Sequence, residues 1–131
     1  MDPNIWGSQA WLFLHTITLN YPDTPSKFDK ENFRNFFENL SHVIPCDVCR
    51  DHYKKNIRKH PIQLESKESL TRWLHMIHNL VNVKNNKDEL LYEEFIKNYS
   101  SLYSGNTNTK KLLLLSLIII ICLISFYFYK N

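Results

Sequence analysis

Two of the chain's three cysteines stand at C-x-x-C spacing, as Cys46-Asp47-Val48-Cys49 directly after Pro45. That spacing suits a redox dithiol or half of a zinc site, and the surroundings discriminate between them. A thioredoxin-like setting places the pair between a strand and a helix, yet no period-two alternation precedes it. Phe33, Phe36, Phe37, Leu40, Val43 and Ile44 recur instead at three- and four-residue steps, the period of an amphipathic helix. Val48, Tyr53 and Ile57 predict a second helix after the pair, with Pro45 in its first turn. Cys46 then lies at a helix N-terminus, where free amides and the helix dipole favour a thiolate. Arg50, Lys54 and Lys55 act in the same direction, Asp47 and Asp51 against it, so the charges leave both readings open.

A second group of residues breaks the purely apolar patterning. Trp11 and His15 are one helical turn apart on a face that should look inward, and His78-Asn79 with Asn82 form a polar set on an otherwise apolar helix. A single histidine on such a face, His15 or His75, is ordinarily a satisfied core residue. Several hydrogen-bonding groups beside a large aromatic need partners when buried. A flat heteroaromatic cofactor supplies both a stacking surface and those partners.

The elements that position these residues are helical. A first helix runs from about Asn4 to Leu19 and stops at Tyr21-Pro22; a second begins after Ser26 and carries the phenylalanine stripe to Ile44. Pro61 closes the helix of the cysteine pair. A fourth, with Ser66 as N-cap and Glu68 in its first turn, places Leu70, Trp73, Leu74, Ile77, Leu80 and Val81 on one face. A short fifth is expected over Asp88 to Leu102, and the short loops favour an antiparallel bundle.

Beyond Lys110-Lys111 the chain changes character: residues 112–129 carry no charge. At helical rise that stretch covers roughly 27 Å, about a bilayer's hydrocarbon thickness, and predicts a transmembrane anchor with Tyr127 and Tyr129 at the far interface. No signal peptide is expected from the first residues, so the anchor reads as a C-terminal tail with residues 1–109 facing the cytosol. All 13 acidic residues and all but Lys110, Lys111 and Lys130 of the 16 Lys and Arg precede the anchor, so the net charge of +3 belongs to the anchor region. With no basic face before it, nucleic acid is not an expected partner. Two glycines leave little room for a phosphate-cradling loop, and no P-loop or dinucleotide fingerprint is present.

Trp6-Gly7, Trp11, Leu14-His15, Tyr21-Pro22, Phe36-Phe37, Pro45-Cys46-x-x-Cys49, Trp73-Leu74 and His78-Asn79-x-Val81-Asn82 with Lys87 resemble, in order and spacing, the Erv/ALR family of FAD-linked sulfhydryl oxidases. The likeness is to the compact form found in large cytoplasmic DNA viruses, and it spans most of residues 6 to 87. It implies an all-α fold, a four-helix bundle plus a short fifth helix, that binds FAD and forms a homodimer. The resulting layout is an FAD-binding oxidase domain over 1–103, a linker over 104–111 and the transmembrane helix over 112–129. Such an enzyme oxidises a protein dithiol and delivers two electrons through FAD to oxygen, giving hydrogen peroxide. By position Cys46 is the interchange thiol and Cys49 the thiol proximal to the flavin. Cofactor binding falls to Gly7, Trp11, His15, Tyr21, His78, Asn79, Val81, Asn82 and Lys87, with Lys84 beside it as a counter-charge for the pyrophosphate. The chain departs from the family's pattern at Asn85 and Asp88, and it lacks the Trp-rich segment that covers the adenine, where Tyr92, Phe95 or Tyr99 could substitute. Shuttle cysteines are also missing, and Cys122 lies within the apolar run. The client is then met directly, and a thioredoxin-like or glutaredoxin-like carrier suits that role.

Two rivals remain. A tail-anchored, zinc-stabilised interaction module could use Cys46, Cys49, His75 and His78, since C-x-x-C with H-x-x-H fills a tetrahedral inventory. A helical protein whose cysteines are bystanders would be indifferent to their replacement.

Overall fold

The structure, a computed structural model, describes the backbone of residues 1–104 and 107–130 and the side chains of 1–104, 111–122 and 125. Among the described residues six helices follow one another: α1 Pro3–Leu19, α2 Lys27–Val43, α3 Asp47–Lys59, α4 Lys67–Lys84, α5 Tyr92–Tyr103 and α6 Thr107–Lys130. The all-α expectation therefore holds. The chain divides into two compact units, Met1–Tyr92 and Glu93–Asn131.

Local chemistry sets the boundaries. Asp2 caps α1 by accepting from the Asn4 N–H at 2.9 Å, with Pro3 in the first turn. Ser26 and Asp29 close a reciprocal capping box on α2, and Ser66 with Ser69 does the same on α4. Within the first unit α1 packs on α4, α2 on α3 and α3 on α4. The helical periodicity is realised in the core, where Leu70, Leu74 and Ile77 of α4 are fully buried beside Phe37 of α2 and Tyr53 of α3. Each such aliphatic side chain contributes about 1.5–3 kcal/mol by leaving water. The polar atoms that enter this core are satisfied by backbone carbonyls: the Tyr53 hydroxyl donates to Phe37 at 2.9 Å and the Trp73 indole N–H to His60 at 2.9 Å.

Three sequence expectations are corrected. Pro45 stays outside α3: Cys46 is the N-cap, with extended backbone, and the Cys46 N–H turns back to the Ile44 carbonyl at 2.8 Å. The fifth helix starts at Tyr92 rather than Asp88, because both backbone groups of Leu90 are taken by side chains of α4. The helix α6 begins at Thr107, inside the stretch expected as a linker. Among the described residues no helix is long and apolar enough to cross a membrane. The anchor expected over 112–129 has a helical backbone, and its side chains at 123, 124 and 126–129 lie outside the described residues.

Candidate redox site

Cys46 and Cys49 are joined as a disulfide with their Cα atoms 5.1 Å apart. Helix α3 makes this possible, since a cap residue and the third residue of the first turn face the same side. The Cys46 sulfur also accepts the Cys49 N–H at 3.3 Å, so one of the helix's free amides is aimed at it. Once the bond is reduced, that amide stabilises a Cys46 thiolate. Arg50, expected to act by charge, has a further structural role: its guanidinium donates to the Ile44 carbonyl at 2.6 Å and pairs with Asp47. The turn that presents Cys46 is thereby tied to the helix behind it. Both cysteines are half-buried, while Pro45, Asp47 and Val48 around them are exposed.

The second cluster forms where α1 meets α4. His78 stacks on Trp11 with ring centroids 3.9 Å apart and planes 8° from parallel. His15, fully buried, shares a 3.0 Å hydrogen bond between its Nε2 and Nδ1 of His78. Burial holds both imidazoles neutral; His15 is lowered to about 3, with His78 and His75 adding to the effect, and His78 to about 4, with His75 and Lys87 adding. The sign of the linkage follows from these directions. Below pH ~6.5 the unfolded chain takes up protons that the folded imidazoles refuse, so stability is complete above that pH and is lost as pH falls toward 4 and then 3. The urea midpoint is therefore expected to be level from pH 8 to 7 and to decline steadily below 6. A His15→Asn, His78→Gln variant should flatten that decline, and an unchanged slope would assign it to other groups.

Asn79 has a task within the chain itself. Its side-chain amide donates to the Leu90 carbonyl at 2.9 Å and accepts from the Leu90 N–H at 3.1 Å, while His75 Nε2 donates to the same carbonyl at 2.8 Å. These bonds fold the 85–91 connection back on α4. Asn86 takes a left-handed conformation with φ 55°, and the Lys87 N–H reaches the Asn82 carbonyl at 2.8 Å. The Asn79→Leu variant, isosteric but without the amide, should lose about 1–3 kcal/mol by leaving the Leu90 N–H unpaired. Amide exchange at Leu90 should accelerate, and unchanged protection there would remove the clamp from the account. Nothing in the linear pattern signalled Leu90, since an apolar side chain gives no hint of what its backbone binds.

The remaining residues named by the resemblance differ in burial. Tyr21 is fully buried and donates to the Leu64 carbonyl at 3.0 Å, a core position. Asn82 is half-buried, its Nδ2 3.4 Å from Asn79 Oδ1; Val81 is half-buried; Lys84 and Lys87 are exposed. A Cβ at Gly7 would meet nothing within 4 Å, so packing within the chain does not call for glycine there. A flavin dinucleotide fits this donor set. The stacked pair Trp11 and His78 offers flat apolar surface, the neutral imidazoles offer single hydrogen bonds, and the two lysines offer charge for a diphosphate. Trp6 adds a buried indole N–H with no partner among the described residues. The zinc alternative is not favoured. Its two sulfurs are bonded to each other, His75 is committed to Leu90 and His78 to His15, and no group of three metal-ligating residues converges among the described residues.

Residues 8–100 match the model of the Erv1 / Alr family. A protein of Acanthamoeba polyphaga mimivirus named as a probable FAD-linked sulfhydryl oxidase is 38% identical over 100 residues, which are 74% of this chain and 70% of that one. The FAD-linked sulfhydryl oxidase ERV1 of Arabidopsis thaliana is also 38% identical, over 76 residues, 58% of this chain and only 40% of the plant protein. The crystal structure of the FAD binding domain of Erv1 from Saccharomyces cerevisiae superposes with a TM-score of 0.74 at 33% identity, covering 77% of this chain and 96% of that one.

Proposed function

The chain belongs to the Erv1 / Alr family, and from that premise we propose that it is an FAD-linked sulfhydryl oxidase that forms disulfide bonds in protein substrates. The observation that carries the proposal is the Cys46–Cys49 disulfide, held at a helix N-terminus in the same compact unit as the Trp11, His15 and His78 cluster. A client thiolate attacks the Cys46 sulfur, breaking the Cys46–Cys49 bond and expelling Cys49 as a thiolate. The second client thiol then attacks the client sulfur of the mixed disulfide, and Cys46 leaves with its charge received by the Cys49 amide. The client gains one disulfide, and the two electrons with two protons reside on the cysteine pair. Bound FAD supplies the two-electron acceptor that restores the pair, with oxygen reduced to hydrogen peroxide, so the overall reaction is 2 R-SH + O2 giving R-S-S-R + H2O2.

Trp11, His15, His78 and Asn82 would hold the cofactor's rings, and Lys84 with Lys87 its diphosphate. Gly7, Tyr21, Asn79 and Val81 shape that cradle, Asn79 by fixing the connection that carries Lys87. The client is a protein dithiol, a thioredoxin-like or glutaredoxin-like carrier being the fitting class. A homodimer is supported by the exposed apolar face of α1, where Ile5 is 77% and Phe13 61% exposed. We read residues 112–129 as a membrane anchor with the oxidase domain over 1–103 on the cytosolic side, on the strength of the uncharged sequence.

The full chain is expected to purify yellow and to consume oxygen on addition of a dithiol only when both cysteines are intact. A colourless protein with stoichiometric zinc would sink this reading.

A further inference from the structure

A groove of about 290 Å³ lies between α2 and α3, on the helix that begins with the disulfide. Its floor is apolar, with Phe37 and Trp73 almost completely buried and Ile57 half-buried. Its walls are charged and unequal in sign: Arg34 and Glu38 from α2 face Lys54 and Arg58 from α3. Glu38 is already paired with Arg34 at 3.7 Å. Among the described residues neither Lys54 nor Arg58 has a carboxylate within ion-pair distance. Lys54 stands eight residues beyond Cys46, roughly 12 Å along the helix, so a chain engaged at the disulfide reaches it within about four extended residues. At the start of α3, exposed Val43, Pro45 and Val48 flank the cysteines with apolar surface. Asp47 beside them is neutralised by Arg50, and Asp51 is the one further acid on the helix.

We propose that this groove is a docking site for an acidic segment of the client protein, placed a few residues from the client's cysteine pair. The inference rests on the oxidase reading and deepens it by naming the client's chemistry: apolar at the reacting cysteines and acidic next to them. Two unpaired cations over an apolar floor complement aspartate and glutamate side chains whose stems pack below. They also steer association, since charge complementarity acts chiefly on encounter and register. The soluble part carries as many acidic as basic residues, so this concentration of cations is local to the groove rather than a property of the whole surface.

The test uses the full chain and three fluorescent peptides carrying the same C-x-x-C, flanked by Asp and Glu, by Ser, or by Lys. Anisotropy measures binding of their dicarboxamidomethylated forms, which needs no turnover, and oxygen uptake measures oxidation of their reduced forms and of dithiothreitol. The acidic peptide should bind at least about tenfold more tightly than the serine peptide at low ionic strength, with the advantage fading as salt rises. In a Lys54→Glu, Arg58→Glu variant that advantage should vanish through KM while dithiothreitol oxidation is unchanged. Equal binding of the three peptides, an acidic-peptide affinity within about twofold in the variant, or preference for a single-stranded oligonucleotide competitor would each overturn the proposal. Absence of dithiothreitol oxidation in the unaltered chain would strike instead at the oxidase reading, and peptide binding would still report on the groove.

Discussion

Cys46→Ser and Cys49→Ser are each expected to reduce dithiol oxidation to background while the protein keeps its visible flavin absorbance. The disulfide is the group that exchanges with the client, and a single remaining thiol cannot take two electrons by exchange. Loss of the bond also removes a constraint on the unfolded chain, but closure of so short a loop is worth at most about 2 kcal/mol. Chemistry therefore dominates over folding. The two variants should differ in one respect that assigns their roles. With Cys49 replaced, the Cys46 thiolate can still displace thionitrobenzoate from a client that carries a single cysteine activated as that mixed disulfide; no second thiol on either partner resolves the product, so a covalent complex accumulates on a non-reducing gel. With Cys46 replaced, the inner thiol should trap little. Trapping by Cys46→Ser alone would reverse the assignment, and loss of flavin in either variant would mean that a cysteine anchors the cofactor.

Trp11→Ala is expected to lower both the stability of the cofactor-free protein and its capacity for FAD. Trp11 packs against the core and forms one side of the stack with His78. Truncating a half-buried tryptophan of this kind costs about 2 kcal/mol, less than the full cost at a buried site. In a unit of this size that is a fall in melting temperature of roughly 10 °C. A ligand that binds only the folded chain adds stability by mass action, so the gap between variant and parent should widen when FAD is added. Trp11→Phe keeps a ring against His78 and should recover part of both losses. Equal melting and full flavin occupancy in Trp11→Ala would remove Trp11 from the cradle.

Helix existence was legible throughout because apolar spacing and caps are local. Ser66 was recognisable as a cap from its position ahead of the apolar face of α4, and the C-x-x-C spacing brings both sulfurs to one side of a helix start. Boundaries shifted where a distant group intervened, as at Leu90, whose backbone is occupied by Asn79 and His75. The proline before the cysteines suggested a helix start two residues too early, since its fixed φ is compatible with a first turn and with the turn before it alike.

What the sequence by itself determined is the all-helical fold, the buried face of α4, that of α2 apart from exposed Val43, and the presence of a cysteine pair spaced for a disulfide. These follow from relations within a few residues, governed by helical period and covalent reach. Only the tertiary structure decided that His15 hydrogen-bonds His78 across 63 residues, that His78 lies flat on Trp11, and that Asn79 spends its amide on Leu90. Periodicity says which stripe of a helix turns inward and is silent on the rotation and height at which two stripes meet. Partners for buried polar groups depend on that meeting, because a hydrogen bond tolerates only a few tenths of an ångström.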